Sequence, residues 1–183
     1  MKLVLDTNIF ISAFYSWRGF NPPPLWGGHK GLNPRPIPFK NNIPRCSAAG
    51  YVDWDGNSQQ IINRVIEGQD ELYITNEIIN EIEDVMGRPK FKTKPEIIER
   101  YVRTIEKIGK KVFITGKVKG ICRDKDDDDK LECGLLSGAD YLITGDSDLL
   151  VLREYQQMRI KAVKSFFEII SGQKVKGVEF GSP

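Results

Sequence analysis

Histidine is almost missing from this chain. Among 183 residues there is one, His29. That argues against a zinc hydrolase built on His ligands and against triad or acid–base chemistry that turns on imidazole. Cysteine is scarce: Cys46, Cys122 and Cys133 are odd in number and form no C-x-x-C, which predicts free thiols in a reducing compartment. No apolar run approaches the roughly 20 residues of a membrane span. The residues from Lys2 onward read as a strand, not as a signal peptide. The expectation is a soluble, cytoplasmic protein without a membrane partner. An excess of one charge is absent too, since 27 Lys+Arg face 25 Asp+Glu for a net +2. Nothing global announces nucleic acid, and there is no acidic tail. No glycine-rich phosphate loop is present, which weighs against a nucleotide-type phosphoryl-transfer enzyme. At this length one domain, residues 1–183, is expected.

What is there begins at Val4-Leu5-Asp6-Thr7-Asn8. Apolar residues run into an Asp, and a second apolar run, Ile9-Phe10-Ile11, follows. The first run reads as a buried strand of a parallel sheet, and Thr7 or Asn8 can cap the helix after it. Asp6 then sits at the carboxyl end of a central strand, where open α/β sheets place their ligand sites. A buried carboxylate there is costly unless something positive sits on it, or unless it accepts backbone N–H bonds.

Residues 18–58 change character. They hold seven of the ten prolines, six glycines, Trp26 and Trp54, and five basic residues against Asp53 and Asp55. Neither period 2 nor period 3.6 survives, so an irregular Pro/Gly-rich insert is expected. Loops beyond about 12–15 residues are uncommon in compact domains. Such a stretch can stack on RNA, dock on a partner, or be a tolerated insertion, because closing a long loop costs little. The preceding helix, residues 8–15, puts its start roughly 12 Å from Asp6.

Regular pattern resumes near Ser58. Helices are predicted over 60–66, from Thr75 or Asn76 to Gly87, over 95–109, 127–138 and 165–171, with a short helical turn over 148–152. Strands are predicted over 2–5, 72–75, 111–115, 141–144 and 159–163. Alternating strands and helices give an α/β fold with a parallel sheet.

The acidic residues cluster after strands or at helix starts. Asp6 follows the first strand, and Glu81 lies one to two turns into the helix after the second. The run Asp124-Lys125-Asp126-Asp127-Asp128-Asp129 opens another helix, and Asp146 and Asp148 follow Leu142-Ile143-Thr144. With parallel strands all four groups reach one edge of the sheet. Crowded carboxylates raise one another's pKa, and a divalent cation relieves the repulsion. Oxygen-only ligands select Mg²⁺ or Mn²⁺, and metal-assisted phosphodiester hydrolysis is the natural chemistry. Taken singly, Asp126–Asp129 also suit a helix N-terminus, Glu81 an exposed helix face, and Asp146 a capped turn.

The ordered motifs resemble PIN-domain ribonucleases, most of all the subgroup of toxin components of toxin–antitoxin pairs. The matching stretches are Val4–Asn8, Ile74–Glu81 running to Arg88-Pro89-Lys90-Phe91, Cys122–Asp127, and Ala139-Asp140-Tyr141-Leu142-Ile143-Thr144-Gly145-Asp146-Ser147-Asp148-Leu149-Leu150. The resemblance implies a three-layer α/β/α fold with a central parallel sheet. It implies Mg²⁺- or Mn²⁺-dependent endonucleolytic cleavage of single-stranded RNA by Asp6, Glu81, Asp127 and Asp146. Asp6, Asp127 and Asp146 would bind metal, with Asp148 close by. Asp127 is selected within the run by its distance from Gly134, where the family has a small helix-packing residue. Thr7, Asn8 and Thr144 would orient the carboxylates. Arg88, Lys90 and Arg123 would hold phosphates. A homodimer and a cognate antitoxin are also implied. The alternative is a PIN-fold module that binds RNA or antitoxin and has lost turnover through the insert. The chain departs from the family at Lys125, where Pro is usual, and over Asp128, Asp129 and Lys130, the last standing where an aromatic is common.

Overall fold

The computed structural model describes residues 1–16 and 57–175. The insert therefore lies outside the described residues, with His29, Trp26, Trp54 and Cys46, except that Asn57 and Ser58 already open a helix. The elements in order are β1 (Lys2–Leu5), α1 (Thr7–Ser16), α2 (Asn57–Ile66), β2 (Glu71–Ile74), α3 (Asn76–Gly87), α4 (Pro95–Ile108) and β3 (Gly109–Lys111). Then follow α5 (Lys125–Ser137), β4 (Tyr141–Ile143), α6 (Ser147–Leu152), β5 (Glu154–Tyr155), β6 (Met158–Lys161) and α7 (Val163–Val175). No helix among the described residues is long and apolar enough to cross a membrane.

The six strands form one sheet in the order β3-β2-β1-β4-β6-β5. β1 is central and parallel to both neighbours, with Val4 opposite Tyr73 on one side and Leu142 on the other. Leu3, Val4 and Leu5 are fully buried, as expected of a parallel strand covered on both faces. Helices flank the sheet, α5 lying across β1, β2 and β4 while α1 packs on α2 and α3. This is the three-layer α/β/α arrangement. The sheet is not wholly parallel, because β5 pairs antiparallel with β6. Glu154–Tyr155 is too short to carry a period, and nothing in the sequence announces it.

Local chemistry explains most boundaries. The Thr75 hydroxyl accepts from the Ile78 N–H at 3.2 Å and caps α3. Pro95 opens α4, where its missing N–H costs nothing. β3 lies earlier than the expected 111–115. α4 passes into it at Gly109 without a loop, and pairing with β2 ends once the Val112 N–H reaches the Ile74 carbonyl at 2.8 Å. The apolar residues Val112 and Ile114, which suggested a strand, pack on the core, and beyond that Val112 bond the strand does not continue.

Gly134 sits on the buried side of α5. A Cβ there would fall 2.1 Å from Met158 Sδ and 2.6 Å from its Cε. Met158, on β6, is itself buried. The far end of methionine is flexible, and Ala gains about 1 kcal/mol of helix propensity over Gly. Gly134→Ala is therefore expected to be near neutral. Gly134→Leu is expected to cost about 1–3 kcal/mol by overpacking, read as a lower urea midpoint. Equal midpoints for the two variants would contradict the close approach.

Candidate active site

The sheet edge at the carboxyl ends of β1 and β4 gathers the acidic residues. The Asp6 N–H donates to the Ile143 carbonyl at 2.9 Å, continuing the β1–β4 ladder and holding Asp6 at the strand's end. Asp6 is 3% exposed. Its Oδ2 accepts from Asn8 Nδ2 at 2.6 Å and from Thr144 Oγ1 at 2.5 Å. Asn8 Oδ1 in turn accepts from the Gly145 N–H at 3.2 Å. Thr144 Oγ1 has its proton on Asp6, and its lone pair accepts the Asp146 N–H at 2.9 Å. Thr7 donates to Glu81 Oε2 at 2.6 Å. Each of the three expected orienting residues thus touches a carboxylate or its backbone. Asp146 accepts the Asp148 N–H at 2.6 Å and caps α6. Capping and membership of the cluster are compatible, since a carboxylate has two oxygens.

The four-aspartate run separates into distinct jobs. Asp124 caps α5 through the Asp126 N–H at 3.2 Å, and Asp126 is exposed. Asp127 is buried and faces Lys130, its Oδ1 2.9 Å from Nζ. Asp128 turns the other way and accepts the N–H groups of Gly120, Ile121 and Cys122 at 2.6, 3.2 and 2.8 Å. One turn on, Glu132 accepts the Thr115 N–H and hydroxyl, both at 2.7 Å. Burial works against its charge, but those bonds prevail and hold its pKa below the ordinary carboxylate value. Asp128 and Glu132 together fasten the irregular segment between β3 and α5.

Lys130 is the residue that sequence reasoning missed. It is 4% exposed, and its ammonium lies 3.1 Å from Asp6 Oδ1, 3.3 Å from Glu81 Oε2 and 2.9 Å from Asp127 Oδ1. Loss of an aromatic at this position predicts looser packing. Instead the side chain is buried and carries the positive charge that a buried Asp6 requires. Burial alone disfavours the Lys130 charge, and Asp6, Glu81 and Asp127 outweigh it, so its pKa lies above the ordinary lysine value. Burial also pushes the Asp127 carboxyl up to about 6 against the pull of Lys130, with Asp6 and Asp146 pushing the same way. Asp146 therefore stands within the field of the same cluster. The spacing of Asp127 and Lys130 on one helix face was the available signal.

Asp148 is half exposed. Its Oδ2 lies 3.9 Å from an Arg123 nitrogen, and no contact with Lys130 accompanies it. Arg123 thus stands at the rim, beside the start of α6. Arg88 pairs with Asp84 at 2.9 Å, and Lys90 lies over the Phe91 ring at 4.9 Å. Arg88 follows the last residue of α3, roughly 10 Å along the axis from Glu81, and Lys90 lies in the turn after it.

The donor set is all oxygen, and one ammonium facing Asp6, Glu81 and Asp127, with Asp146 acting on Asp127, leaves excess negative charge. That chemistry suits a hard divalent cation. The spacing is that of an ammonium: among the described residues no group of three His, Cys, Asp or Glu is arranged to ligate a metal ion.

A family model described as PIN domain matches residues 2–148 of the chain. No curated protein and no solved structure matches.

Proposed function

Because the chain belongs to the PIN-domain family, a family of nucleases, we propose that it is a metal-dependent endoribonuclease that cuts single-stranded RNA. One observation carries the reading. Carboxylates from four separate segments meet at the carboxyl edge of the sheet with more negative charge than Lys130 neutralises. Asp6, Asp127 and Asp146 would hold Mg²⁺ or Mn²⁺, Glu81 would assist, and Asp148 stands close by. Bound there, such an ion supplies an activated water and neutralises charge on the phosphodiester. Thr7, Asn8 and Thr144 fix the carboxylates. Arg123, at the rim beside Asp148, would meet phosphate, with Arg88 and Lys90 farther along the surface.

The test is cleavage of a mixed structured and single-stranded RNA pool by the purified chain, with Mn²⁺ or with EDTA, beside Asp146→Asn. We expect cutting with Mn²⁺, none with EDTA, and a loss on the order of 100-fold or more in the variant, the size of effect that removing one metal-centred charge interaction carries. Folded protein that cuts nothing at any Mn²⁺ concentration would favour the second reading, a PIN-fold module that binds RNA or antitoxin without turnover. The buried Lys130 ammonium among the carboxylates is the observation on that side. The toxin role, a homodimer and an antitoxin covering the acidic edge belong to the same proposal. The dimer is checked by solution mass, and a monomer at micromolar concentration would remove it.

A further inference from the structure

The Lys130 ammonium stands where the carboxylate oxygens converge. It contacts Asp6 Oδ1, Glu81 Oε2 and Asp127 Oδ1 within 2.9–3.3 Å, and the side chain is buried with only 4% exposed. We propose that Lys130 is a resident cation of this site, and that a divalent ion enters only by exchanging with its ammonium. The inference rests on the metal-dependent reading above and sets its terms.

The geometry favours exchange. Mg²⁺ needs oxygens at about 2.0–2.1 Å in a near-ideal octahedron, and the oxygens that converge here are spaced around an ammonium at 2.9–3.3 Å. Lys130 holds the one point within reach of Asp6 Oδ1, Glu81 Oε2 and Asp127 Oδ1 together, and a metal ion cannot occupy that point at the same time. Lysine carries its charge on a flexible four-carbon stem, so the ammonium can swing outward while its backbone stays in α5. Three carboxylates on one ammonium leave excess negative charge, which makes a doubly charged ion the better match once it arrives. Lys130 also explains how Asp6, at 3% exposed, stays paired without any metal. The residue thus determines metal affinity and selects ions that can displace an ammonium.

The full chain is titrated with Mn²⁺ by calorimetry, without RNA, as wild type, Lys130→Met, Lys130→Gln and Lys130→Arg. Removing the competing charge-assisted contacts is expected to tighten Mn²⁺ binding on the order of tenfold or more in the Met and Gln variants. The Arg variant, which keeps the charge, is expected to stay as weak as wild type. A second measurement needs no variant. The ammonium ¹⁵N–¹H signal of Lys130, slowed in exchange by its hydrogen bonds, is expected to vanish as Mg²⁺ is added. Equal affinity in all four proteins, or a Lys130 signal that persists with Mg²⁺ bound, would overturn the proposal while leaving RNA cleavage untouched. Binding in none of them would overturn it as well. Tighter binding in the Met and Gln variants with no RNA cut by any protein would uphold the exchange and bring down the nuclease reading.

Discussion

Asp128→Ala is expected to cost about 2–4 kcal/mol, because a charged acceptor contributes about 1.5–3 kcal/mol per bond and water recovers only part of the loss. At this chain length that is a fall of roughly 5–15 °C in Tm. Three backbone N–H groups, those of Gly120, Ile121 and Cys122, converge on this one carboxylate. Among the described residues no other acceptor is supplied to them, since the segment from Phe113 to Asp124 forms no strand. Gly120 and Ile121 are exposed, which is why water is allowed part of the recovery. Asp126→Ala, two residues away on the exposed side of the same helix, is the control and is expected to change stability by under about 0.5 kcal/mol. Asp128→Asn, retaining one acceptor oxygen, is expected to fall between. Thermal denaturation of the three variants decides the matter, and identical melting of Asp128→Ala and Asp126→Ala would refute this role for Asp128.

Asp6→Asn is expected to lower RNA cleavage on the order of 1,000-fold or more, since a metal-centred charge interaction of several kcal/mol is lost at a tenfold rate per 1.36 kcal/mol. Asp6 stands at the meeting point of the whole arrangement. It receives Asn8, Thr144 and Lys130 at once. Asn can still accept from Thr144, but its amide is neutral and cannot pair with Lys130. The fold is expected to survive, because Glu81 and Asp127 still face the ammonium. Single-turnover cleavage at saturating Mn²⁺, normalised to folded protein by circular dichroism, separates chemistry from stability. A variant that cuts within tenfold of wild type would remove Asp6 from the reaction. The two aspartates then give opposite signatures: Asp128→Ala melts early but cuts per folded molecule, whereas Asp6→Asn stays folded and does not cut.

Much of this architecture is visible in the residue pattern. Apolar runs ending in Asp6 and before Asp146 mark strands buried on both faces, and Leu3, Val4, Leu5, Leu142 and Ile143 are fully buried. Thr75 is a cap by residue type and position, and Asp127 is the member of its run that meets Asp6 and Glu81 around Lys130; α5 begins at Lys125, two residues before the predicted 127, because Asp124 caps it. The failures have physical causes. Tyr155 and Glu154 make a strand only because β6 turns back on them, a tertiary event with no local period. Gly109 serves as helix end and strand start at once, which shifts β3 forward. Lys130 follows Asp126–Asp129, a polar run whose helical face is not fixed by hydrophobic spacing. Its burial comes from Asp6 and Glu81, distant in sequence. Asp128 looks like one more acid at a helix start, and its three amide partners precede it in a segment with no motif.

The placement of β1 carries one more consequence, for the order in which the molecule is built. β1 is the first strand of the chain, yet it lies between β2 and β4. Asp6 meets Thr144 across a separation of 138 residues, and Asn8 meets Gly145 across 137. A chain emerging from the ribosome makes residues 2–16 long before residues 141–146 and holds β1 without its β4 neighbour until they appear. Lys130 likewise arrives long after Asp6. Contacts so far apart in sequence close late, because the entropy of a long loop must be met before they form. Every nascent chain that stops short of Thr144 therefore carries aspartates without an assembled site, and the cluster comes into being as a unit only once that segment has been made.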